Sequence, residues 1–198
     1  LRLTWPTVPL FHKDQYALDV LASYLSEGKK APLNQVVVDE KKLASGVFMF
    51  GRNSELAGTS SLIVRAFPGT NLNDVQAAFD EGFAQFEANG IPAADLARIK
   101  TSMEVGFYGQ IDSVLGKAIQ LAQYDILAGD PGYGDQELKS IQSVTAADVM
   151  RVYETYIKGK AHVATSFVPK GDAALALAES SLADVVEEQI VQGAEEEF

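Results

Sequence analysis

The first residues of the chain alternate between apolar and polar side chains, which is typical of a β-strand. Leu1-Arg2-Leu3-Thr4-Trp5 carries this alternation, and the pattern stops at Pro6. Asp14 can then cap a helix, because the apolar residues after it recur at helical spacing. These residues are Ala17, Leu18, Leu21, Tyr24 and Leu25. Gly28 ends the predicted helix.

Residues 32–42 fit two local structures. The run Val36-Val37-Val38 favours a strand through its β-branched side chains. Leu33 with Val36 and Val37 also forms a helical stripe that a charged stretch follows. We predict a short helix here.

Two stretches rich in strand-forming residues follow, at 43–50 and 60–67. The nine residues between them, Gly51 to Thr59, contain Asn53-Ser54-Glu55 and Gly58, which are typical of turns. The pattern therefore predicts a β-hairpin with a moderately long turn.

The middle of the chain is predicted to be helical. A first helix begins at Asn71, carries Val75 with an aromatic stripe, and closes at Asn89-Gly90. The aromatic stripe is expected to be core: Phe79, Phe83 and Phe86. A long helix with Pro92 in its first turn follows and is expected to bend or break near Gly106 and Gly109. If this segment serves a contact surface, Phe107 or Tyr108 should be exposed. The alternative is that Val105, Phe107, Tyr108 and Ile111 complete the domain's own core.

The C-terminal part begins with a turn at Asp130-Pro131-Gly132. Thr145-Ala146-Ala147-Asp148 is similar to a capping box and starts the next helix. His162 to Val168 alternates as a last strand and is closed by Pro169. Because strands do not alternate one-for-one with helices, we predict an α+β domain. Its largely antiparallel sheet has about four strands, with helices packed on one face.

Composition limits the class of protein. The 198 residues are 47% hydrophobic and 22% charged, which fits one globular domain, or two small ones, and excludes disorder. No apolar run approaches the ~18–20 residues of a membrane helix. The absence of Cys excludes disulfides and Cys-ligated metals, and leaves the compartment open between periplasm and cytoplasm. The chain begins at Leu1 without Met, as expected of a piece of a longer protein.

The formal charge of −11 is concentrated at the C-terminus. Residues 171–198 carry eight Asp and Glu and no Lys or Arg. The preceding 170 residues hold 16 basic against 19 acidic side chains, a balance of −3 with no basic stripe. This distribution argues against nucleic-acid binding. It divides the chain into a domain at 1–169 and an acidic linker or tail at 170–198, whose first part is Ala-rich and predicted helical.

No self-contained active site is visible in the residues. The only histidines, His12 and His162, have no second His at zinc-motif spacing, and exposed structural roles explain both. No G-x-S-x-G sequence occurs, and Gly132-Tyr133-Gly134 lacks the third glycine of a nucleotide loop. We therefore predict no catalytic, cofactor-binding or metal-ligating residues in this chain.

Several short motifs, in order over residues 1 to 169, nevertheless resemble one family. Thr145 to Val149 is the most telling part, within a stretch similar to I-x-x-V-T-x-x-D-V. The resembling segments are Phe11–Leu18, Leu25–Gly28, Pro32-Leu33, Lys42–Ser45, Gly90–Pro92 with Leu96 and Lys100, and Ile141–Val149. The chain resembles the second, inactive domain of a half-unit in the pitrilysin/insulinase family of zinc metallopeptidases, which includes the mitochondrial processing peptidases.

The resemblance implies a peptidase whose two halves, each of two similar domains, enclose a chamber. Zinc would lie on an inverted HxxEH motif in the catalytic domain of the parent, and that motif is absent here. In the opposite half the family often places Arg, and Tyr seven residues later, beside the substrate. Those positions correspond to Val38 and Ser45, which cannot replace an Arg. The departure indicates either the second domain of the zinc-bearing half or a copy that has lost the pair. The acidic tail after the last strand favours the first alternative, because it could join the next half.

The resulting hypothesis is a non-catalytic domain of a zinc metalloendopeptidase that forms the chamber wall and packs against the catalytic domain. Its partners would be other domains or halves of the same peptidase and, in the parent, a peptide substrate, with no membrane span. The alternative is a structural relative without peptidase activity, such as the family's core subunits in respiratory assemblies. An unrelated ligand-binding α+β domain is the third possibility.

Overall fold

The computed structural model describes residues 1–181, and its centre is a four-stranded antiparallel sheet. The strands are β1 (Arg2–Thr7), β2 (Ala44–Asn53), β3 (Gly58–Ala66) and β4 (Val163–Thr165). Their order is β2-β3-β1-β4, and every neighbouring pair runs antiparallel. The hairpin strand β2 and the short β4 are therefore the two edges of the sheet.

Helices cover one face of this sheet. They are α1 (Gln15–Ser26), α2 (Pro32–Asn34, continued by a π-helical turn Gln35–Glu40), α3 (Leu72–Asn89), α4 (Ala93–Gln110), α5 (Val114–Gln123, continued by a π-helical turn Tyr124–Ala128), α6 (Gly134–Ser143) and α7 (Ala146–Tyr156). No helix within residues 1–181 is both long enough and apolar enough to cross a membrane.

The register of the strands separates a buried face from an open one. Leu3 lies opposite Leu62, which lies opposite Met49, and all three are buried under the helices. Phe48, one residue from Met49, points the other way and is 65% exposed. The predicted α+β class, with about four antiparallel strands and helices on one face, is confirmed.

The aromatic stripe of α3 belongs to the core, as predicted. Phe79 and Phe86 are fully buried and Phe83 almost so. The Phe86 ring meets Tyr153 of α7 edge-on at 5.1 Å. Gly82 lies on the same face of α3, where a Cβ atom would stand 2.8 Å from the Leu33 side chain of α2. Only a glycine leaves room for Leu33 at this position. This close approach lets α2 pack directly on α3.

Several predicted helix signals are confirmed. The ambiguous segment after Pro32 is helical. Thr145 and Asp148 form a complete capping box at the start of α7. Asn71 caps α3, where its side chain accepts a hydrogen bond from the Asn73 N–H. The long helix breaks just beyond Gly109, where α4 ends and α5 begins.

Three strand predictions need correction. β1 continues through Pro6 instead of stopping there. β4 pairs only with residues 2–4, so Pro6 has no partner in β4. A proline, which lacks an N–H, is tolerated where that strand neighbour is missing. The hairpin turn is shorter than predicted, because pairing continues to Asn53 and Gly58. The last strand covers only Val163–Thr165 of the predicted 162–168.

Two predicted helix starts are also wrong in detail. Asp14 precedes α1, but its side chain makes no cap hydrogen bond. Its carboxylate instead faces α7, where Arg151 and Tyr156 hold it. Pro92 stands just before α4 rather than in its first turn.

The start of the C-terminal segment lies against the body of the domain. Among residues 170–181, only Ala173–Leu175 is helical, as one 3₁₀ turn, so the α-helix predicted from the Ala content is not formed in this part of the segment. Asn73 binds the segment at two points: its side chain donates to the Ala176 carbonyl at 3.2 Å and accepts from the Ala178 N–H at 2.9 Å. The rest of the predicted tail, residues 182–198, lies outside the described residues.

Candidate functional site

A groove runs beside the edge strand β2, where the family resemblance places substrate-contacting residues. Its volume is 630 Å³. The end of α1, the loop after it, α2 with its π-helical turn, and β2 supply the lining. These elements meet here because β2 has no strand on its outer side.

The free edge of β2 is bonded by side chains rather than left open. The Asn34 Oδ1 atom accepts from the Val47 N–H at 3.0 Å, and the Ser26 Oγ atom accepts from the Met49 N–H at 2.8 Å. Asn34 also donates to the Ser26 carbonyl at 2.6 Å. An exposed strand edge can pair with an added strand. The side-chain hydrogen bonds at Val47 and Met49 occupy backbone groups that such a strand would need, so they prevent its pairing with the first half of β2.

Val38 and Ser45 both line this groove. The structure therefore brings together the two positions that the family resemblance singled out. Val38 is partly buried and Ser45 is exposed. Glu27, Lys29 and Asp39 are the charged groups of the lining. Neither Val38 nor Ser45 can supply a charge-assisted hydrogen bond to a substrate carbonyl in this groove.

The two histidines occupy separate structural positions. The Nδ1 atom of His12 accepts from the Asp14 N–H at 3.1 Å, in the turn before α1. His162 lies before β4, with its ring 5.1 Å from the ring of Trp5. Within residues 1–181, no three His, Asp or Glu side chains are grouped so that they could hold a metal ion.

Sequence analysis missed a pair of acidic side chains under the helices. Burial raises the pKa of Asp19 to about 6, and the nearby charge of Glu137 adds to the rise. Burial also raises the pKa of Glu137, which accepts a short hydrogen bond from the Tyr124 hydroxyl. An Asp inside the apolar run Tyr16 to Leu25 was the available signal. Raised carboxyl pKa values are common in active sites, but neither Asp19 nor Glu137 lines the groove beside β2.

Comparisons with known proteins identify the family of the chain. The model of the family described as the peptidase M16 inactive domain matches residues 1–103, slightly more than half of the chain. The chain belongs to the M16 inactive-domain family. It is a non-catalytic domain type of a zinc-protease family, as the sequence motifs indicated.

Relatives extend the match beyond residue 103. The chain is 28% identical over 152 residues to the zinc protease PqqE of Helicobacter pylori, covering 76% of this chain and 34% of that protein. A crystal structure of a protease from Helicobacter pylori matches with a TM-score of 0.67 and 27% identity, over 79% of this chain and 38% of that one. The chain thus spans about a third of the length of the curated relative it matches.

A second solved structure has nearly the same extent as this chain. It is an inactive peptidase domain from Bordetella parapertussis, with a TM-score of 0.71 and 18% identity, covering 85% of this chain and 92% of that one. At this identity the similarity concerns the fold alone. It confirms the α+β architecture for the M16 inactive domain described above.

Proposed function

We propose that this M16 inactive domain forms part of the wall of a substrate chamber in a zinc metalloendopeptidase and packs against the catalytic domain. Zinc would be held by that catalytic domain of the parent. The domain would comprise residues 1–169, with 170–198 as a linker to the next unit. It would be the second domain of the zinc-bearing half.

The observation that carries the packing role is a set of exposed apolar side chains along the end of α4, α5 and the π-helical turn after α5. Val105 near the end of α4 is 66% exposed, and Val114 at the start of α5 is 86% exposed. Leu115 and Ile126 are 69% and 75% exposed. Exposed apolar area of this size is typical of a contact surface, because moving apolar side chains out of water is favourable.

The groove beside β2 supports the assignment to the zinc-bearing half. In the family, the opposite half often carries Arg and Tyr at the positions of Val38 and Ser45. This chain has neither side chain there, so its groove would enclose substrate without polarising the scissile carbonyl.

Expression of the complete parent protein tests the proposal. We expect one zinc ion in the parent, cleavage of an unfolded protein such as casein, and loss of cleavage on chelation. Leu115→Asp and Ile126→Asp should lower cleavage by at least about tenfold by separating the domains, an effect of about 1.4 kcal/mol or more. Leu56→Asp, at an 88% exposed site in the hairpin turn, is the matched control.

The alternative function is a structural relative without peptidase activity. A parent that lacks zinc and does not cleave casein, but still requires Leu115 and Ile126 for assembly, would establish it. An HxxEH motif within one domain-length before Leu1 would instead support the peptidase.

A further inference from the structure

Arginine and large apolar side chains lie together on the face of the sheet that the helices leave open. We call it the outer sheet face and define it by Arg2, Phe48, Phe50, Arg52, Arg65 and Val163. These residues alternate along their strands with the buried ones, and cross-strand register places Phe48, Ile63 and Arg2 in one row. Phe48, Phe50 and Val163 are 65%, 42% and 67% exposed.

This face is positively charged although the chain as a whole is acidic. The four strands contain three Arg and no Asp, Glu or Lys. None of the three makes an ion pair with residues 1–181. Arg2 is held in place by neutral groups: it donates to the hydroxyls of Thr4 at 3.2 Å and Ser61 at 3.0 Å. Its charge is thus held on the sheet with no counter-ion among residues 1–181.

The arginines flank the two phenylalanines along the strand direction. Arg52 lies opposite Thr59, and Arg65 lies six residues further along β3. At about 3.3 Å per residue, the two arginines are about 20 Å apart. Phe48 and Phe50 occupy the rows between them, and both also line the groove beside β2. The face is therefore continuous with the candidate site.

The end of the face near Arg65 opens into a second cavity. Its volume is 610 Å³, and Arg2, Arg65 and the 93% exposed Phe167 are among its lining residues. An acidic group entering this cavity would find the Arg65 side chain with apolar surface beside it, whereas the Arg2 guanidinium is directed towards Thr4 and Ser61. Guanidinium groups bind carboxylates well because their planar N–H groups match the two oxygens.

We propose that the outer sheet face binds an extended peptide segment with acidic residues at its two ends and apolar residues between them. Alternate side chains of an extended peptide lie about 6.6 Å apart. A seven-residue segment therefore places its first and seventh side chains on the two arginine rows. Its third and fifth side chains lie on Phe48 and Phe50. This inference rests on the proposed function, because it describes the substrate class that the chamber would favour.

The test is direct binding to the full 198-residue chain, which needs no peptidase activity. The probe is a fluorescein-labelled peptide of sequence Asp-Ser-Leu-Ser-Leu-Ser-Asp, measured by anisotropy at low salt. We expect saturable binding that weakens when both Asp become Asn and disappears when both become Lys. Raising the salt to about 0.3 M should also weaken it, because screening shortens the reach of exposed charges.

Variants of the chain locate the binding site. Arg52→Gln and Arg65→Gln should each weaken binding about threefold, and together about tenfold, as expected of exposed ion pairs. Arg98→Gln is the matched control, since Arg98 is an exposed arginine on α4, away from the sheet. The unfolding temperatures of these variants should equal that of the parent chain. Weaker binding would then reflect the loss of peptide contacts and not a loss of folded protein.

Four results would overturn the proposal. The Asn or Lys peptide could bind as well as the Asp peptide, or Arg98→Gln could act like Arg52→Gln. Sedimentation could show a dimer that Arg52→Gln dissociates, which would make a second copy the occupant. Tight binding only after the six acidic residues of 182–198 become amides would make that segment the occupant. A parent that cleaves casein while this peptide fails to bind would leave the proposed function standing.

Discussion

The Arg151 guanidinium lies 2.9 Å from the carboxylate of Asp14 and joins the last long helix to the first. Asp14 is almost completely buried, whereas Arg151 reaches it from the partly exposed surface of α7. Burial alone would raise the pKa of Asp14, but the neighbouring Arg151 guanidinium and the hydrogen bond from the Tyr156 hydroxyl hold it below its usual range. The ionised carboxylate therefore stabilises the packing of α1 on α7.

Arg151→Met should lower the free energy of unfolding by about 1 to 3 kcal/mol at pH 7, because it leaves a buried carboxylate with one partner fewer. A depressed carboxyl pKa contributes stability above its unfolded value, near 3.9, that is lost as the pH falls. The difference between the two proteins should therefore shrink below about pH 4. Denaturant unfolding at several pH values measures it.

Arg98→Met is the control for this effect, because Arg98 makes only an exposed contact of 3.6 Å with Asp95. It should change stability by less than about 0.5 kcal/mol. Equal losses for the two variants, or a loss at Arg151 that does not vary with pH, would contradict the ion-pair explanation.

Asp19→Asn should stabilise the domain at neutral pH. Burial raises the pKa of Asp19 to about 6, so the folded state holds a proton that the unfolded chain releases near 3.9. Stability of the parent chain should therefore fall as the pH rises from about 4 to 6. The Asn side chain does not ionise, so the free energy of unfolding of the variant should exceed that of the parent chain by about 1 to 3 kcal/mol above pH 6. The difference should be small below about pH 4.

Asp112→Asn provides the comparison, since Asp112 is exposed between α4 and α5. Thermal unfolding of both variants between pH 4 and 8 measures the effect. A gain at Asp19 that is the same at pH 4 and pH 7 would contradict ionisation as its cause.

The parts of the fold that sequence predicted were those with local chemical signals. Thr145 with Asp148 specifies a helix start through two hydrogen bonds within four residues. The aromatic stripe of α3 is specified by the helical spacing of its residues. Phe79 and Phe86 therefore lie on one face and are buried when that face packs against the rest of the domain. Strand ends were harder, because β4 stops where its pairing with β1 stops, and pairing is a property of the folded sheet.

The candidate site was predictable only in part. Motif order indicated the family and hence the positions of Val38 and Ser45, but their common groove depends on how β2 packs beside α2. Asp14 illustrates the limit: its place before an apolar helix indicated a cap. A partner 137 residues later, Arg151, determines where its carboxylate lies. The alternation of Arg and Phe on the open sheet face likewise has meaning only once the register is known.

The C-terminal segment gives a test in which composition and structure disagree. Composition predicts that ending the chain after Lys170 leaves stability unchanged, because residues 172–198 are acidic with few large apolar groups. In the structure, Leu177 packs at the edge of the core and Asn73 binds two backbone groups of the segment. We therefore expect a loss of about 1 to 2 kcal/mol.

A chain ending after Ser181 should keep the stability of the full chain, and Asn73→Ala should reproduce part of the loss, about 1 kcal/mol. Denaturant unfolding of the three proteins is the measurement. An unchanged midpoint after truncation at Lys170 would support the domain boundary at residue 169.

Zinc binding by the isolated chain should be absent. His12 and His162 lie at separate turns, and residues 1–181 contain no group of three His, Asp or Glu arranged for a metal. Elemental analysis after dialysis should find much less than one zinc per chain, and peptides should remain uncleaved. Stoichiometric zinc that His12→Ala or His162→Ala removes would contradict this expectation.

The junction of α4 and α5 should tolerate substitution in the isolated domain, although it is apolar. Tyr108 is 52% exposed there, with its ring edge-on to Phe107 at 5.5 Å. Tyr108→Ser should cost less than about 1 kcal/mol, as surface changes do. Phe79→Ala, in the centre of α3, should cost about 3 to 5 kcal/mol through the cavity it leaves. In the parent protein, whose peptidase activity is proposed above, Tyr108→Ser should lower cleavage if a neighbouring domain covers the junction. Equal cleavage by the two parent proteins would show that Tyr108 is free in the assembled enzyme.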